Sequence, residues 1–330
     1  MRSSSGLRAD DSAMADVDAL VAAARAGDAR AIGKLISLVE DDDDAVPAAL
    51  QALGASRGEI PYVLGITGPP GAGKSTTTSA LIAHWRAAGK RVAVLAVDPS
   101  SPFTGGALLG DRVRMQAHFT DTSVFIRSMA SRGHLGGLSA ATPQAVRVLE
   151  SCGFDVVLVE TVGVGQAEVD IAAMADTTVV LLAPGMGDGV QAAKAGILEV
   201  ADILAVNKAD RDGADDTIRE LRHMLTTVSD REPGQWRPPV VRTVATAEGG
   251  VAELVEAIDK HRAWLSSSDE GGRRKLARAA HEIAVLANGL LTQRFGLQVG
   301  DPRLIALAER VVAGKLDIHS AAREIVGDLE

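Results

Sequence analysis

The 330-residue chain is predicted to fold as a doubly wound α/β domain on a mostly parallel sheet, with helical N- and C-terminal extensions. Three observations carry that expectation. Short apolar runs alternate with helical stretches from Pro61 to about Trp264. Several runs are apolar on consecutive residues, such as Val156-Val157-Leu158-Val159 and Val179-Val180-Leu181-Leu182. Strands of that kind are buried on both faces, which requires helices on each side of the sheet. Lastly, the first strand runs straight into a glycine-rich turn and a helix.

The elements follow in order. Residues 1–15 read as a disordered tail, with Arg2, Arg8 and several serines but no apolar signal core, and Asp10 and Asp11 argue against a transit peptide. Residues 16–57 form an N-terminal helical arm. Val17, Leu20, Val21 and Ala24, then Ile32, Leu35, Ile36 and Val39, fall at helical spacing, and Gly27-Asp28 breaks them into a hairpin. The acidic run Glu40 to Asp44 reads as a solvated loop and not a metal site.

The domain at 58–265 holds seven predicted strands: Tyr62–Thr67, Arg91–Val97, Ser123–Arg127, Asp155–Glu160, Thr177–Ala183, Asp202–Asn207 and Val240–Ala245. Ser266 to Gly272 is polar, ends in a glycine pair and reads as a linker. It opens a C-terminal helical arm, 266–330. There Leu276, Ala280, Ile283, Ala287 and Leu290 recur at alternating spacings of four and three, a narrow seam on a long helix. Two shorter helices follow around Leu304–Val312 and His319–Val326. The seam must be buried somewhere, and the reading favoured here is a subunit interface over packing on its own domain.

Composition narrows the function classes. A net charge of -9 argues against nucleic acid as the main partner, because a phosphate backbone calls for clustered positive charge. The single cysteine, Cys152, excludes a disulfide framework or a cysteine-pair metal site within one chain and fits a reducing compartment, hence a cytoplasmic protein. No apolar run reaches the roughly 18–20 residues of a membrane span, so no membrane role is expected.

The chemistry centres on Gly68-Pro69-Pro70-Gly71-Ala72-Gly73-Lys74-Ser75-Thr76, which matches the phosphate-binding loop G-x-x-x-x-G-K-[ST] at every fixed position. The glycines let backbone N–H groups turn in around phosphate oxygens. The helix that starts near Gly73 aims its positive end at the same anion. Lys74 reaches the β- and γ-phosphates, and Ser75 offers a hydroxyl to Mg²⁺. The base is read from Asn207-Lys208-Ala209-Asp210, which directly follows a buried strand and has the N-K-x-D form. Its carboxylate can accept hydrogen bonds from the ring N–H and exocyclic amine of guanine, whereas adenine would leave it unpaired. Thr246-Ala247-Glu248, after the last strand, is placed to approach the guanine O6.

Mg²⁺ needs carboxylates as direct or water-mediated partners. Asp98, Asp111 and Glu160 lie at or beyond the carboxyl ends of strands, on the ligand side of an open α/β sheet. Lys74, Asp111 and Glu160 are the candidate catalytic residues. Within Glu160-Thr-Val-Gly163-Val-Gly165-Gln166, Gly163 could offer its N–H to a γ-phosphate and lose that contact on hydrolysis, the logic of a switch. Pro184-Gly-Met-Gly-Asp188-Gly189, followed by Gln191 and Lys194, reads as a further mobile segment.

With these pieces placed, the sequence resembles the MeaB/ArgK-type GTPases, the G-protein chaperones of methylmalonyl-CoA mutase in the SIMIBI class of P-loop GTPases. The marks are Gly68–Thr76, Val97-Asp-Pro-Ser-Ser-Pro102, Gly110-Asp-Arg-Val-Arg-Met115, Glu160–Gln166, Pro184–Asp188 and Asn207–Asp210. The resemblance implies an Mg²⁺ site at Asp98, Asp111 and Glu160, switches at Asp98–Asp111 and Glu160–Gly163, and a third switch at Pro184–Lys194. It also implies a homodimer through the C-terminal arm. The implied function is to gate adenosylcobalamin transfer into methylmalonyl-CoA mutase, or a related cobalamin-dependent acyl-CoA mutase, and to protect that enzyme, with GTP hydrolysis slow without the partner. One departure is Thr246, where a serine is more usual. A metal-delivery GTPase is the first alternative, and one cysteine with seven scattered histidines argues against it. An ATP-dependent kinase tied to amino-acid transport is the second, and Asn207–Asp210 argues against that.

Overall fold

A computed structural model describes residues 6–41, 43, 45–54, 61–98, 115–130, 141–161, 167–186, 199–228, 234–247, 249–295 and 301–327. The chain divides into two compact units, Met1–Leu276 and Ala277–Glu330.

The first unit is a seven-stranded parallel sheet wrapped by helices. Its strands are β1 (Tyr62–Thr67), β2 (Val92–Asp98), β3 (Val124–Ala130), β4 (Val156–Thr161), β5 (Thr177–Leu182), β6 (Ile203–Val206) and β7 (Val240–Arg242). The order β3-β2-β4-β1-β5-β6-β7 sets β1 at the centre, between β4 and β5. All seven match predicted runs, with ends that shift by a few residues. The runs of consecutive apolar residues are buried along their whole length in β1, β4, β5 and β6.

Alternate residues of each strand feed opposite layers. Val63, Leu95, Val157 and Val159 pack on one face under α1 (Gly6–Arg25), α2 (Ala29–Asp41), α3 (Val46–Gly54), α5 (Ala141–Glu150) and α6 (Ala167–Met174). Leu64, Ile66, Val94 and Leu158 pack on the other under α4 (Lys74–Ala87) and α8 (Val251–Ser267). α7 (Ala214–Val228) covers the β6 side, where Ile218 and Leu221 join Leu204 and Val206.

Four sequence expectations change here. α1 begins at Gly6, inside the stretch read as a tail. The predicted hairpin is α1 and α2, turned at Gly27 and capped by Asp28, whose Oδ1 accepts from the N–H of Arg30 at 2.7 Å and of Ala31 at 3.0 Å. A third helix, α3, completes that layer. The acidic run is not all solvated loop, because α2 extends to Asp41 and Glu40 is half-buried against Arg127 of β3.

The expected linker is absent. α8 ends at Ser267, only Ser268 is extended, and α9 (Asp269–Phe295) starts at once. A Cβ on Gly271 would meet the Leu265 carbonyl oxygen at 2.4 Å. That glycine serves a close approach of two chain segments, not flexibility.

The second unit holds the rest of α9 with α10 (Pro302–Val312) and α11 (Ile318–Gly327), close to the two short helices predicted. Asp301 caps α10 by accepting from the Arg303 N–H at 2.8 Å, and Arg310 pairs with Glu324 at 2.5 Å. On α9 the seam residues Leu276, Ile283 and Leu290 are exposed, at 72%, 67% and 66%, so the described chain alone does not cover it.

At the amino ends of the strands sits a buried polar cluster. Tyr62 hydrogen-bonds Thr177, and Thr177 Oγ1 lies 2.5 Å from His261 Nδ1. His261 Nε2 faces Asp202 Oδ1 at 3.4 Å. Asp202 accepts the Thr178 N–H at 2.9 Å and both terminal nitrogens of Arg274 at 2.8 and 2.9 Å. Trp236 and Trp264 pack against the imidazole. Burial is the main influence on His261 and pushes its pKa down to about 4, from an ordinary 6.5, with Asp202 pulling the other way and Arg274 adding to the fall.

The folded protein therefore keeps His261 neutral between pH 6.5 and 4 while the unfolded chain takes up a proton. Stability is lost as pH falls through that window, by up to about 3 kcal/mol from this group. His261→Gln should show a shallower decline of thermal midpoint between pH 7 and 4 than the parent. Equal slopes would exclude His261 as a source of the decline.

Candidate functional site

The loops of interest leave the carboxyl ends of the strands, where open α/β sheets place their ligands. β1 ends at Thr67, and the chain turns through Gly68–Gly73 into α4. Gly68 has φ 135° and Gly73 has φ 95°. A Cβ on Gly68 would meet the Leu181 carbonyl oxygen at 2.1 Å, and one on Gly73 would meet Asn207 Nδ2 at 2.2 Å. Both positions need glycine, for backbone angle and for space. Gly73 is also the N-cap of α4, which has no side-chain cap. The first N–H groups of α4 and its positive end stay available to an anion.

Lys74 is buried, and its Nζ donates to the carbonyls of Gly68 at 2.7 Å and Pro69 at 3.1 Å. The ammonium thus lies over the hollow of the loop. Glu160, on β4, stands in register with Ile66 of β1 and Ala96 of β2, beside the loop. It is buried, and Ser75 Oγ donates to its Oε1 at 2.6 Å. Thr78 Oγ1 donates to its Oε2 at 2.7 Å. Asp98 ends β2 at the same edge of the sheet. Its side chain lies outside the described residues, as do Asp111, Gly163, Asp188, Lys194 and Glu248.

Asn207 joins the phosphate loop to the predicted guanine elements. Its Nδ2 donates to the Ala72 carbonyl at 2.9 Å. Its Oδ1 accepts from the Ala245 N–H at 3.1 Å and from Thr243 Oγ1 at 3.3 Å. Lys208 takes a left-handed φ of 56°, uncommon for a residue with a side chain, and its Nζ donates to the Gly71 carbonyl at 2.7 Å. The Ala209 N–H reaches the Thr243 carbonyl at 3.1 Å. Asp210 follows, exposed, beside the 3-10 turn Ala245–Ala247, where Thr246 and Ala247 are also exposed. The tetrapeptide and the turn are therefore stitched together around one carboxamide.

Sequence reasoning missed several members of this arrangement. Thr78 lies three residues after Ser75, on the same face of α4, and that spacing was its available signal. Thr161 Oγ1 donates to Thr67 Oγ1 at 2.9 Å and ties β4 to β1 at the mouth of the loop. His118 Nε2 lies 3.0 Å from Ser79 Oγ, and Arg86 pairs with Asp121 at 2.7 Å. Together with buried Met115, these contacts hold the segment after Arg114 onto α4.

Among the described residues no three His, Cys, Asp or Glu side chains cluster as metal ligands. The donors at hand are a hydroxyl and a carboxylate beside a phosphate cradle. That suits Mg²⁺, which takes oxygen ligands from one or two carboxylates and completes its shell with substrate phosphates and water.

Comparison with known proteins identifies relatives along most of the chain. The family model described as methylmalonyl Co-A mutase-associated GTPase MeaB matches residues 29–298. The Escherichia coli GTPase ArgK is 40% identical over 223 residues, 67% of this chain and 66% of that protein. The mouse methylmalonic aciduria type A homolog, mitochondrial, is 34% identical over 266 residues, 80% of this chain and 64% of that protein. A crystal structure titled LAO/AO transport system kinase superposes with a TM-score of 0.69 at 27% identity, covering 96% of this chain and 98% of that one.

Gly73→Ala would press a methyl group onto Asn207 in a left-handed backbone. Strain of about 1.4 kcal/mol is already tenfold in binding, so GDP affinity should fall by about tenfold or more. An affinity within twofold of the parent by calorimetry would refute the close-approach argument.

Proposed function

Because the chain belongs to the family of methylmalonyl-CoA mutase-associated GTPases, we propose that it is a GTP-driven switch serving a cobalamin-dependent acyl-CoA mutase, with methylmalonyl-CoA mutase as the first candidate. In this reading it gates adenosylcobalamin loading, protects the mutase, and hydrolyses GTP slowly without it. The observation that carries the reading is the Asn207 carboxamide. It binds the phosphate loop and the base-reading turn into one unit, so the state of one is felt by the other.

The residues divide the work. The loop N–H groups and Lys74 take the β- and γ-phosphates, the ammonium exchanging neutral carbonyls for anionic oxygens. Asp210 reads the guanine edge, and Thr246, Ala247 and Glu248 close on it. Ser75 and Glu160, with Asp98 and Asp111, would hold Mg²⁺. Bound there, the ion would neutralise charge on the β- and γ-phosphate oxygens. Hydrolysis adds water to the γ-phosphorus and breaks its bond to the bridging oxygen, giving GDP and phosphate. Loss of the γ-phosphate removes the acceptor that Gly163 would contact. Glu160 sits three residues before Gly163 and is already tied to α4 through Ser75 and Thr78. Asp188 and Lys194 would carry the change to the mutase.

The same reading makes the protein a cytoplasmic homodimer. The exposed seam of Leu276, Ile283 and Leu290 supports a second copy as its cover. No helix among the described residues is long and apolar enough to cross a membrane. Nucleic acid has no part in the reading, in keeping with the acidic net charge.

Two measurements test this. Asp210→Asn removes a charge-assisted acceptor worth roughly 1.5–3 kcal/mol, so GDP affinity should drop about 10- to 100-fold while ADP stays weak. Tight ADP binding by the parent, or an unchanged GDP affinity in the variant, would overturn the guanine assignment. Co-purification with methylmalonyl-CoA mutase should differ between GDP and a non-hydrolysable GTP analogue. Association that ignores the nucleotide, or no association at all, would reject that client.

A further inference from the structure

We propose that Thr78 is a positioning residue for GTP hydrolysis, fixing the orientation of the Glu160 carboxylate through its second oxygen. The proposal rests on the reading of Ser75 and Glu160 as part of an Mg²⁺ site.

The geometry is specific. One turn of α4 presents two hydroxyls to a single carboxylate, Ser75 to Oε1 at 2.6 Å and Thr78 to Oε2 at 2.7 Å. All three side chains are buried, Thr78 at 0% exposure and Ser75 and Glu160 at 3%. Thr78 has no role in the phosphate-loop pattern, which ends at Ser75. Its neighbour Thr77 spends its hydroxyl on the Gly73 carbonyl within the helix, so the fold does not direct every threonine of this run to Glu160.

A glutamate needs such a hold. Its terminal torsion, about the bond to the carboxyl carbon, is soft and broadly distributed. A donor on one oxygen leaves that torsion loosely set, whereas donors on both oxygens fix the carboxylate plane. Ser75 acts at the ligand as well as at Glu160, because the loop serine also offers its oxygen to the cation. Thr78 sits a turn deeper, away from the ligand, and can keep its bond through the nucleotide cycle. Groups that orient a metal-binding carboxylate typically change metal affinity or activity by about 10- to 100-fold when removed.

The experiment compares Thr78→Val, which keeps the shape and deletes the hydroxyl, with Thr78→Ser, which restores it. Three quantities are read: thermal midpoint, affinity for a fluorescent GDP analogue in EDTA and across an Mg²⁺ titration, and kcat with KM for GTP. In Thr78→Val the Mg²⁺ concentration giving half the effect on GDP binding should rise about 10- to 100-fold and kcat should fall similarly. KM, metal-free GDP affinity and melting should stay near the parent, and Thr78→Ser should recover both losses. A valine variant with the parental Mg²⁺ midpoint and kcat overturns the proposal. So does one whose metal-free GDP affinity and melting fall in step with kcat, which marks a structural threonine. Thr78→Ala is read the same way if the valine does not fold, and failure of both also assigns a structural role. If Mg²⁺ leaves GDP binding by the parent unchanged, the metal reading itself fails, an outcome separate from failure at Thr78.

Discussion

The carboxamide of Asn207 is bonded on three sides at the carboxyl edge of the sheet. Its amide nitrogen takes the Ala72 carbonyl, and its oxygen takes the Ala245 N–H and the Thr243 hydroxyl. This side chain is buried at the end of β6, so unmade bonds there would each cost on the order of 1–3 kcal/mol. The neighbours are built around it. Gly73 must be glycine because a methyl group would collide with Nδ2. Lys208 turns left-handed there, and its amine returns to the Gly71 carbonyl. Asp210 and the turn at Ala245 reach a common rim because Asn207 and the Ala209–Thr243 bond hold their loops together. The asparagine of N-K-x-D is therefore a joint between the loop after β1 and the turn after β7.

How far the sequence revealed this follows from the range of each interaction. The seven strands were visible because burial on both faces demands consecutive apolar residues, a signal written into each strand alone. The phosphate loop was visible because a phosphate cradle constrains backbone angles over a short span. Asn207 and Glu160 were found as motif members, yet their bonds to Ala72, Ala245 and Thr78 were not, since those cross 38 to 135 positions of chain. Glu40 looked solvated within an acidic run because nothing near it announces Arg127, 87 positions away. Gly271-Gly272 misled for a different reason. Glycine marks flexibility and close approach alike, and only the neighbouring Leu265 carbonyl decides between them.

The two edges of the sheet are made differently. At the carboxyl edge the loops take left-handed backbone at Gly68 and Gly73, which glycine allows without strain, and at Lys208, where a side chain makes it uncommon. At the amino edge Tyr62, Thr177, His261, Asp202 and Arg274 are turned on one another, with tryptophans around them. A buried carboxylate there is tolerable because Arg274 meets it with both terminal nitrogens and the Thr178 N–H adds a third bond. β5 and β6 run from this edge to the other. Thr177 and Asp202 stand at their starts, and Pro184 and Asn207 follow their ends.

Lys74 shows how such an edge prepares for its ligand. Its ammonium is buried, and a buried cation without partners would cost several kcal/mol. The Gly68 and Pro69 carbonyls meet that need, and they belong to the loop the phosphates must enter. The lysine therefore closes the cradle on itself with neutral acceptors, which anionic oxygens can replace by stronger bonds. Glu160 follows the same logic with the sign reversed, its two oxygens accepting from the Ser75 and Thr78 hydroxyls. The ammonium thus meets carbonyls and the carboxylate meets hydroxyls, and both side chains are buried. Bonds from the ammonium to anionic phosphate oxygens, and from the carboxylate to a cation, would be stronger than either of these sets, which favours the exchange when a ligand enters.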